Sequence, residues 1–289
     1  MKELTTRVTK QLSIACALIA MTMTSCIKGD KAPVYFSIDS IGLISNYASQ
    51  GTASHNIKDA WVYVDGQELG VYELPARFPV LAEGRHEISI AAGIFINGIS
   101  ATRIKYPFYN FLDTVLNFQP GVSDLSLGKF KVKYFEGQTY TWYEDFESTG
   151  YTFQANISSD VQVEIDNIDK FEGNNSGRAT LISDKPKFYG EMQVDSPIVS
   201  QNKTFLELNY KSEQAFSVGM KVTTAGFVKT VYILTINKSD TWNKIYVDLS
   251  KVVNENQTAS GFSIYIYAEL ESGRSQSVLH FDNMKLLHN

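Results

Sequence analysis

The chain reads as an all-β protein made of two β-sandwich domains, the second a jelly roll, and three observations predict it. Aromatic residues make up 12% of the 289 positions, with 16 Tyr and 17 Phe, and Val, Ile and Thr are frequent beside them, a composition that suits pleated, half-buried strands. Apolar and polar residues alternate in short runs, the period of a strand with one buried face. The 19 Gly and clusters of Asn, Asp and Ser end those runs at turn spacing. A content of 44% hydrophobic and 20% charged residues is ordinary for a globular protein and excludes a disordered chain or a multispan membrane protein. The net charge of -5 comes with 26 Lys and Arg scattered along the chain. Without a basic stripe, no nucleic-acid partner is expected.

Residues 1–25 carry an export signal. Lys2, Arg7 and Lys10 precede an uncharged run from Leu12 to Met23, too short to cross a hydrocarbon core of about 30 Å. The run ends in Met23-Thr24-Ser25-Cys26, which resembles a bacterial lipobox. The resemblance implies that Cys26 is diacylated and becomes the first residue of a lipoprotein, with more than one acyl chain for stable attachment. Ile27 after the cysteine, and not Asp, resembles lipoproteins sorted to an outer membrane, and Lys28-Gly29-Asp30 resembles the charged export tag of Bacteroidota surface lipoproteins. An outer-membrane lipoprotein facing the cell surface or the periplasm is therefore expected, tethered by residues 26–32. Both cysteines, Cys16 and Cys26, lie in this leader, so no disulfide can staple the body and hydrophobic cores must hold it.

The first domain is expected over residues 33–136. Val34 to Ile38 opens as a strand, and Ser45 to Asn56 is a polar loop. Ala60 to Val64 leads into Asp65-Gly66, a hairpin turn in which Gly accepts positive φ. Glu83-Gly84 makes a second turn before a strand that places Ile88 and Ile90 on one face. The run from Ala60 to Ile90, with its V-x-V-D-G, its later Gly and Pro, and L-x-x-G-x-H, resembles the PEGA-type repeat of bacterial surface proteins. Glu73 departs from that pattern. His86 lacks the second histidine of a zinc site, and a strand cannot bring i and i+4 together; it is expected to make a structural hydrogen bond. Gly93 to Gly98 has phosphate-loop glycines, but Ile99-Ser100 replaces the Lys and Ser/Thr that would hold phosphate, leaving a β-turn. Ile99 to Phe111 gathers Arg103, Lys105, Tyr106, Phe108, Tyr109 and Phe111, either core aromatics around Pro107 or a protein-contact patch. Asp39-Ser40-Ile41 and Asp113-Thr114-Val115 resemble the acceptor pattern of periplasmic O-glycosylation, which implies modification of Ser40 and Thr114.

The second domain is expected over residues 140–289, after Gly137-Gln138-Thr139. Phe216, Val218, Met220 and Val222 share one strand face, Ile245, Val247 and Leu249 another, and Phe262, Ile264 and Ile266 a third, with Tyr265 and Tyr267 opposite. Thr204–Tyr210, Val228–Ile236 and Val278–Leu287 complete a set of short strands, the pattern of a sandwich or jelly roll. Four segments follow in order: Asp145-Phe146-Glu147, Asn175-Ser176-Gly177-Arg178-Ala179, Thr241-Trp242-Asn243-Lys244, and His280-Phe281-Asp282-Asn283. Together they resemble the galactose-binding-like jelly rolls that include many carbohydrate-binding modules. The resemblance implies a structural Ca²⁺ near Glu147 and Asp282, a hard cation on oxygen ligands, and it places Trp242 in the packed interior. It also implies sugar stacking on aromatics, for which Trp142, Phe188, Tyr189, Tyr265 and Tyr267 are the candidates.

Catalysis is not expected. The body has no G-x-S-x-G, no cysteine and no histidine pairing among His55, His86, His280 and His288, and Asp145 and Glu147 two apart on one strand do not straddle a substrate. Two readings remain: a non-catalytic glycan-binding lipoprotein, or a structural or adhesion lipoprotein that binds another envelope or secretion-system protein. An exposed aromatic platform on the jelly-roll face would favour the first.

Overall fold

The structure, a computed structural model, describes residues 33–119, 124–194 and 203–288; the export signal, Cys26 and the tether lie outside the described residues. The first sandwich comprises β1 (Val34–Ile44), β2 (Asp59–Val64), β3 (Gln67–Glu73), β4 (Ala76–Val80), β5 (Gly84–Phe95), β6 (Arg103–Lys105), β7 (Leu112–Phe118) and β8 (Asp124–Lys133). One sheet has the order β4-β1-β8 and the other β3-β2-β5-β6, with β7 also paired to β5. Strand β1 runs antiparallel to β4 and parallel to β8. The β2–β3 turn is Asp65-Gly66, both at positive φ, the conformation that matches strand twist in a two-residue hairpin. Asp65 also takes His86 Nδ1 at 2.6 Å, the structural hydrogen bond expected of that histidine. Phe36, Ile38, Val62, Phe78, Ile90 and Phe118 fill the space between the sheets.

The second sandwich comprises β9 (Thr139–Glu144), β10 (Gln154–Ala155), β11 (Glu164–Asp166), β12 (Ser176–Ile182), β13 (Lys187–Val194), β14 (Thr204–Ser212), β15 (Phe216–Thr224), β16 (Phe227–Ile236), β17 (Ser239–Asp248), β18 (Gly261–Glu269) and β19 (Gln276–His288). A five-stranded sheet, β10-β13-β18-β15-β16, faces a six-stranded one, β11-β12-β19-β14-β17 with β9 on β19. All these pairings are antiparallel, and the chain passes repeatedly from sheet to sheet, the arrangement of a jelly roll. The three expected apolar faces all point inward, joined by Phe146, Phe153, Leu208, Phe281 and Leu286. Helix among the described residues is confined to Tyr47–Gln50 and Ser250–Glu255.

The two sandwiches share one packed joint. Phe205, Tyr246 and Leu287 from the second belong to the hydrophobic core of the first, while the second keeps a core of its own between its two sheets. At the joint Glu207 of β14 is fully buried. It accepts from Tyr106 Oη at 2.7 Å and Tyr134 Oη at 3.1 Å, and its Oε2 pairs with Lys244 Nζ at 2.9 Å and Lys285 Nζ at 3.8 Å. Burial pushes the Glu207 carboxyl up, but the two ammoniums prevail and hold it below the usual carboxylate range. Lys285 donates to the carbonyls of Gln50 and Thr52, at 2.9 and 3.1 Å; burial pushes its ammonium down to about 7. The polar loop 45–56 thus serves as a clasp: Ser54 Oγ accepts from Asn209 Nδ2, and Asn56 Nδ2 donates to Lys244 O.

Candidate functional site

The outer face of the five-stranded sheet carries the aromatic side chains. Along β13, Phe188 and Met192 enter the core while Tyr189 and Glu191 point out; along β18, Ile264 and Ile266 enter while Ser263, Tyr265 and Tyr267 point out. Register stacks the outward residues in rows across β13, β18, β15 and β16. One row is Tyr189, Tyr267, Ser217 and Thr235; the next is Glu191, Tyr265, Gly219 and Tyr232; a third holds Ser263, Lys221 and Thr230. Gly219 makes this surface possible, since a Cβ there would come within 2.2 Å of the Tyr265 ring. Tyr265 therefore lies down on the sheet, 6% exposed, stacked on Tyr189 with centroids 5.4 Å apart and planes 12° apart. Tyr267 meets Tyr189 edge-on at 6.1 Å. Tyr232, on the edge strand, is 60% exposed.

Polar groups border the rings and are already oriented. Glu191 accepts from Lys221 Nζ at 2.6 Å, Asn156 Nδ2 at 2.6 Å and Ser263 Oγ at 2.7 Å. Burial raises the Glu191 carboxyl, yet these donors hold it below the ordinary range, so it stays an acceptor. Lys221 also lies over the Tyr189 ring, 4.9 Å from its centroid. Burial raises the phenols of Tyr189, Tyr265 and Tyr267, which remain protonated donors. An apolar ring surface beside a fixed set of donors and acceptors can take a ligand with one apolar face and a polar rim.

Of the five aromatics expected at a ligand, the structure brings Tyr189, Tyr265 and Tyr267 together and corrects two. Phe188 is fully buried and stacks on Phe281 inside the sandwich, because position 188 falls on the inward phase of β13. Trp142 packs into the same core and donates Nε1 to Thr152 Oγ1 at 2.7 Å. Trp242 is corrected in the other direction: it sits outside the core, donating to Asp169 and touching the rings of Phe171 and His280. Glu191, Lys221, Asn156 and Tyr232 escaped the sequence reading, although the period of β15 puts Lys221 opposite the core residues Met220 and Val222. In the first sandwich Tyr106, Phe108 and Tyr109 are core residues at the joint, while Phe111 is 46% exposed. Ser40 is exposed on β1 and Thr114 is half-buried on β7.

The expected metal position forms a second, separate locus. Glu147 Oε1 accepts from the Asn174 and Asn175 amides at 2.7 and 2.9 Å, and Asp282 Oδ2 from the Phe171 and Glu172 amides at 3.1 and 3.2 Å. These two carboxylates grip one loop, whose Gly173 has φ +69° and no room for a Cβ beside Glu147. Asp282 Oδ1 is buried with no hydrogen-bond partner, and burial, then the neighbouring Glu147 charge, help push its carboxyl up to about 7. An orphaned buried carboxylate oxygen that feels a second carboxylate charge fits a hard cation. Among the described residues no three His, Cys, Asp or Glu side chains cluster, so neutral oxygens would complete such a site.

No family model matches the chain, and no curated protein matches it. Among solved structures it is similar to the CBM22-1 xylan-binding domain of Paenibacillus barcinonensis Xyn10C, at 12% identity and a TM-score of 0.41, over 53% of this chain and 97% of that one. It is also similar to the family 11 carbohydrate-binding module of Clostridium thermocellum in complex with a β-1,3-1,4-mixed-linked tetrasaccharide, at 12% identity and a TM-score of 0.38, over 52% and 94%. A third is the family 30 carbohydrate-binding module of a C. thermocellum cellulosomal cellulase, at 10% identity and a TM-score of 0.36, over 52% and 96%.

Proposed function

We propose that this chain is a non-catalytic glycan-binding lipoprotein, anchored in an outer membrane through Cys26, and that the tyrosine face of its second sandwich takes the glycan. The observation that carries this reading is the face itself: an outward sheet surface on which Tyr189 and Tyr267 are partly exposed and Tyr232 more so, with Tyr265 buried beneath Tyr189 as their support and the fixed Glu191–Lys221 pair as a border. Pyranose rings have apolar C–H faces and a hydroxyl rim, and a rigid sheet presents its rings with little ordering cost on binding. Lys221 is neutralised by Glu191, which favours a neutral saccharide over a polyanion. Glu147 and Asp282 are proposed to hold a structural Ca²⁺ that neutralises the two carboxylates and fixes the loop between them. The test is a glycan array probed with the full chain, with and without Ca²⁺, beside a Tyr189→Ala, Tyr232→Ala variant. Binding of a neutral oligosaccharide that the variant loses supports the reading; an array without a hit, or hits the variant keeps, sinks it. Intact mass of the native protein tests the anchor, because a mature N-terminus without acyl chains overturns it.

A further inference from the structure

The opposite, six-stranded sheet is only partly covered by the first sandwich. Beyond the joint, Arg178, His280 and Lys211 stand side by side across β12, β19 and β14. They floor a cavity of about 400 Å³, within the size range of small-molecule pockets. The stretch between β11 and β12 supplies its wall. Asp166 accepts from His280 Nε2 at 3.1 Å and Arg178 Nη1 at 3.3 Å, and Asp169 accepts from Lys211 Nζ at 2.5 Å and Trp242 Nε1 at 2.9 Å. Burial raises both carboxyls, yet the Ile168 amide and then His280 at Asp166, and Lys211 and then Trp242 at Asp169, hold them below the usual carboxylate range.

Hydrogen-bonding capacity remains unused here. Among the described residues the side chains of Thr180, Asp240 and Gln276, which line the cavity, bond to no protein group, and Arg178 Nε is buried without an acceptor. The charges exclude several ligand classes. Arg178 and Lys211 are each neutralised by aspartate, and Asp240 and Glu213 stand at the lining, so an anion is repelled. Asp166 and Asp169 already accept N–H donors and Glu213 accepts the Val278 amide at 2.9 Å, which leaves Asp240 as a single carboxylate and not a pair for a cation. Val278 is the only lining residue with an apolar side chain, so a wholly apolar ligand would leave the polar groups around it unpaired. A neutral molecule with several adjacent hydroxyls meets every requirement, because planar Arg, Asp and Gln groups match the spacing of a vicinal diol.

We infer that this cavity is a second carbohydrate site, which takes a single terminal sugar residue of a neutral glycan through its vicinal hydroxyls. A half-open pocket of this size holds one sugar residue, the room a chain end needs, whereas an open sheet face accepts the middle of a chain. The inference does not depend on the tyrosine face. It is tested by saturation-transfer NMR of the full chain with methyl β-glycosides of glucose, galactose, xylose and mannose, and methyl β-glucuronide as the charged control. In a Tyr232→Ala background, which disables the tyrosine face, the Thr180→Val, Asp240→Asn, Gln276→Ala changes should weaken a bound neutral glycoside about tenfold or more, the scale of losing several hydrogen bonds, and Leu81→Ala, exposed on the first sandwich, should leave it unchanged. The inference is overturned if no neutral glycoside binds, if only the glucuronide binds, or if the triple variant binds normally. If binding is lost in Tyr232→Ala alone, the sugar sits on the tyrosine face, and that reading stands while this one falls.

Discussion

The two sheets of the second sandwich export their outward side chains to opposite fates. On β18, Ser263, Tyr265 and Tyr267 point away from the core, where Ser263 and Tyr265 are covered only by neighbouring side chains of the same face and Tyr267 stays partly exposed. On β14 and β19, Glu207 and Lys285 occupy the same outward phase, yet the first sandwich closes over them and leaves both fully buried. Alternation thus tells which residues leave the core of a sheet and says nothing of what covers them. A buried charge is tolerated only with partners, and Glu207 has two ammoniums and two phenols. The covered face stores its cost in one network; the open face spreads its interactions over rings that can change partners.

The strongest way to break this comparison is Glu207→Gln, which leaves Lys244 and Lys285 buried without a counter-charge. It is expected to cost about 3–5 kcal/mol and to lower Tm by about 10 °C, read by calorimetry; a shift of a degree or two would place the joint in water. Adding Lys285→Met to that variant should restore part of the loss.

Asp282 sharpens the comparison on the metal side. In the folded chain it keeps its proton to about 7, whereas an unfolded carboxyl loses it near 3.9. Its contribution to stability is therefore full below about pH 4 and is lost as pH rises toward 7. His55, lowered by burial and then by Lys244 and Lys131, slopes the other way near its ordinary value, so the comparison is with Asp282→Asn. In EDTA the Tm of the parent chain relative to this variant should fall from pH 5 to pH 7, and saturating Ca²⁺ should flatten that slope. A slope in EDTA that is already flat removes the basis for the cation.

On the open face, Gly219→Ala drives a methyl into the Tyr265 ring. The expected cost is about 1–3 kcal/mol, together with weaker glycan binding as the ring lifts. The smallest stability effect belongs to Tyr232→Ala, within about 0.5 kcal/mol for an exposed position, while binding of a glycan on that face falls severalfold by titration. A large drop in Tm would make Tyr232 a packing residue.

Much of this fold was legible in the sequence. The phases of β15, β17 and β18 follow from alternation alone, and the Asp65-Gly66 hairpin from its turn chemistry. Tyr265 and Tyr267 were legible as outward for the same reason. Phe188 was misread because aromatic character alone does not reveal strand phase; Gly190, beside it, shares the inward phase and marks the crowding there. Trp142 and Trp242 exchange their expected places, since each depends on which strand end turns over the sheet. The joint was illegible: Glu207, Lys244 and Lys285 lie far apart in the chain, and each looks like an ordinary surface charge until the first sandwich docks.

Strand β1 gives the molecule a mechanical property. It lies between β4 and β8 and runs parallel to β8 along nine paired positions, from Tyr35 with Asp124 to Ile44 with Lys133. A pull on its N-terminal end, opposed by a load held in the second sandwich beyond the end of β8, drags the two strands past each other along their length. Their hydrogen bonds are then loaded together in shear, instead of opening one at a time as in an unzipping hairpin. The packed joint passes that load between the sandwiches without a hinge. Tension applied between residue 33 and the second sandwich would therefore meet all nine paired positions of β1 and β8 at once.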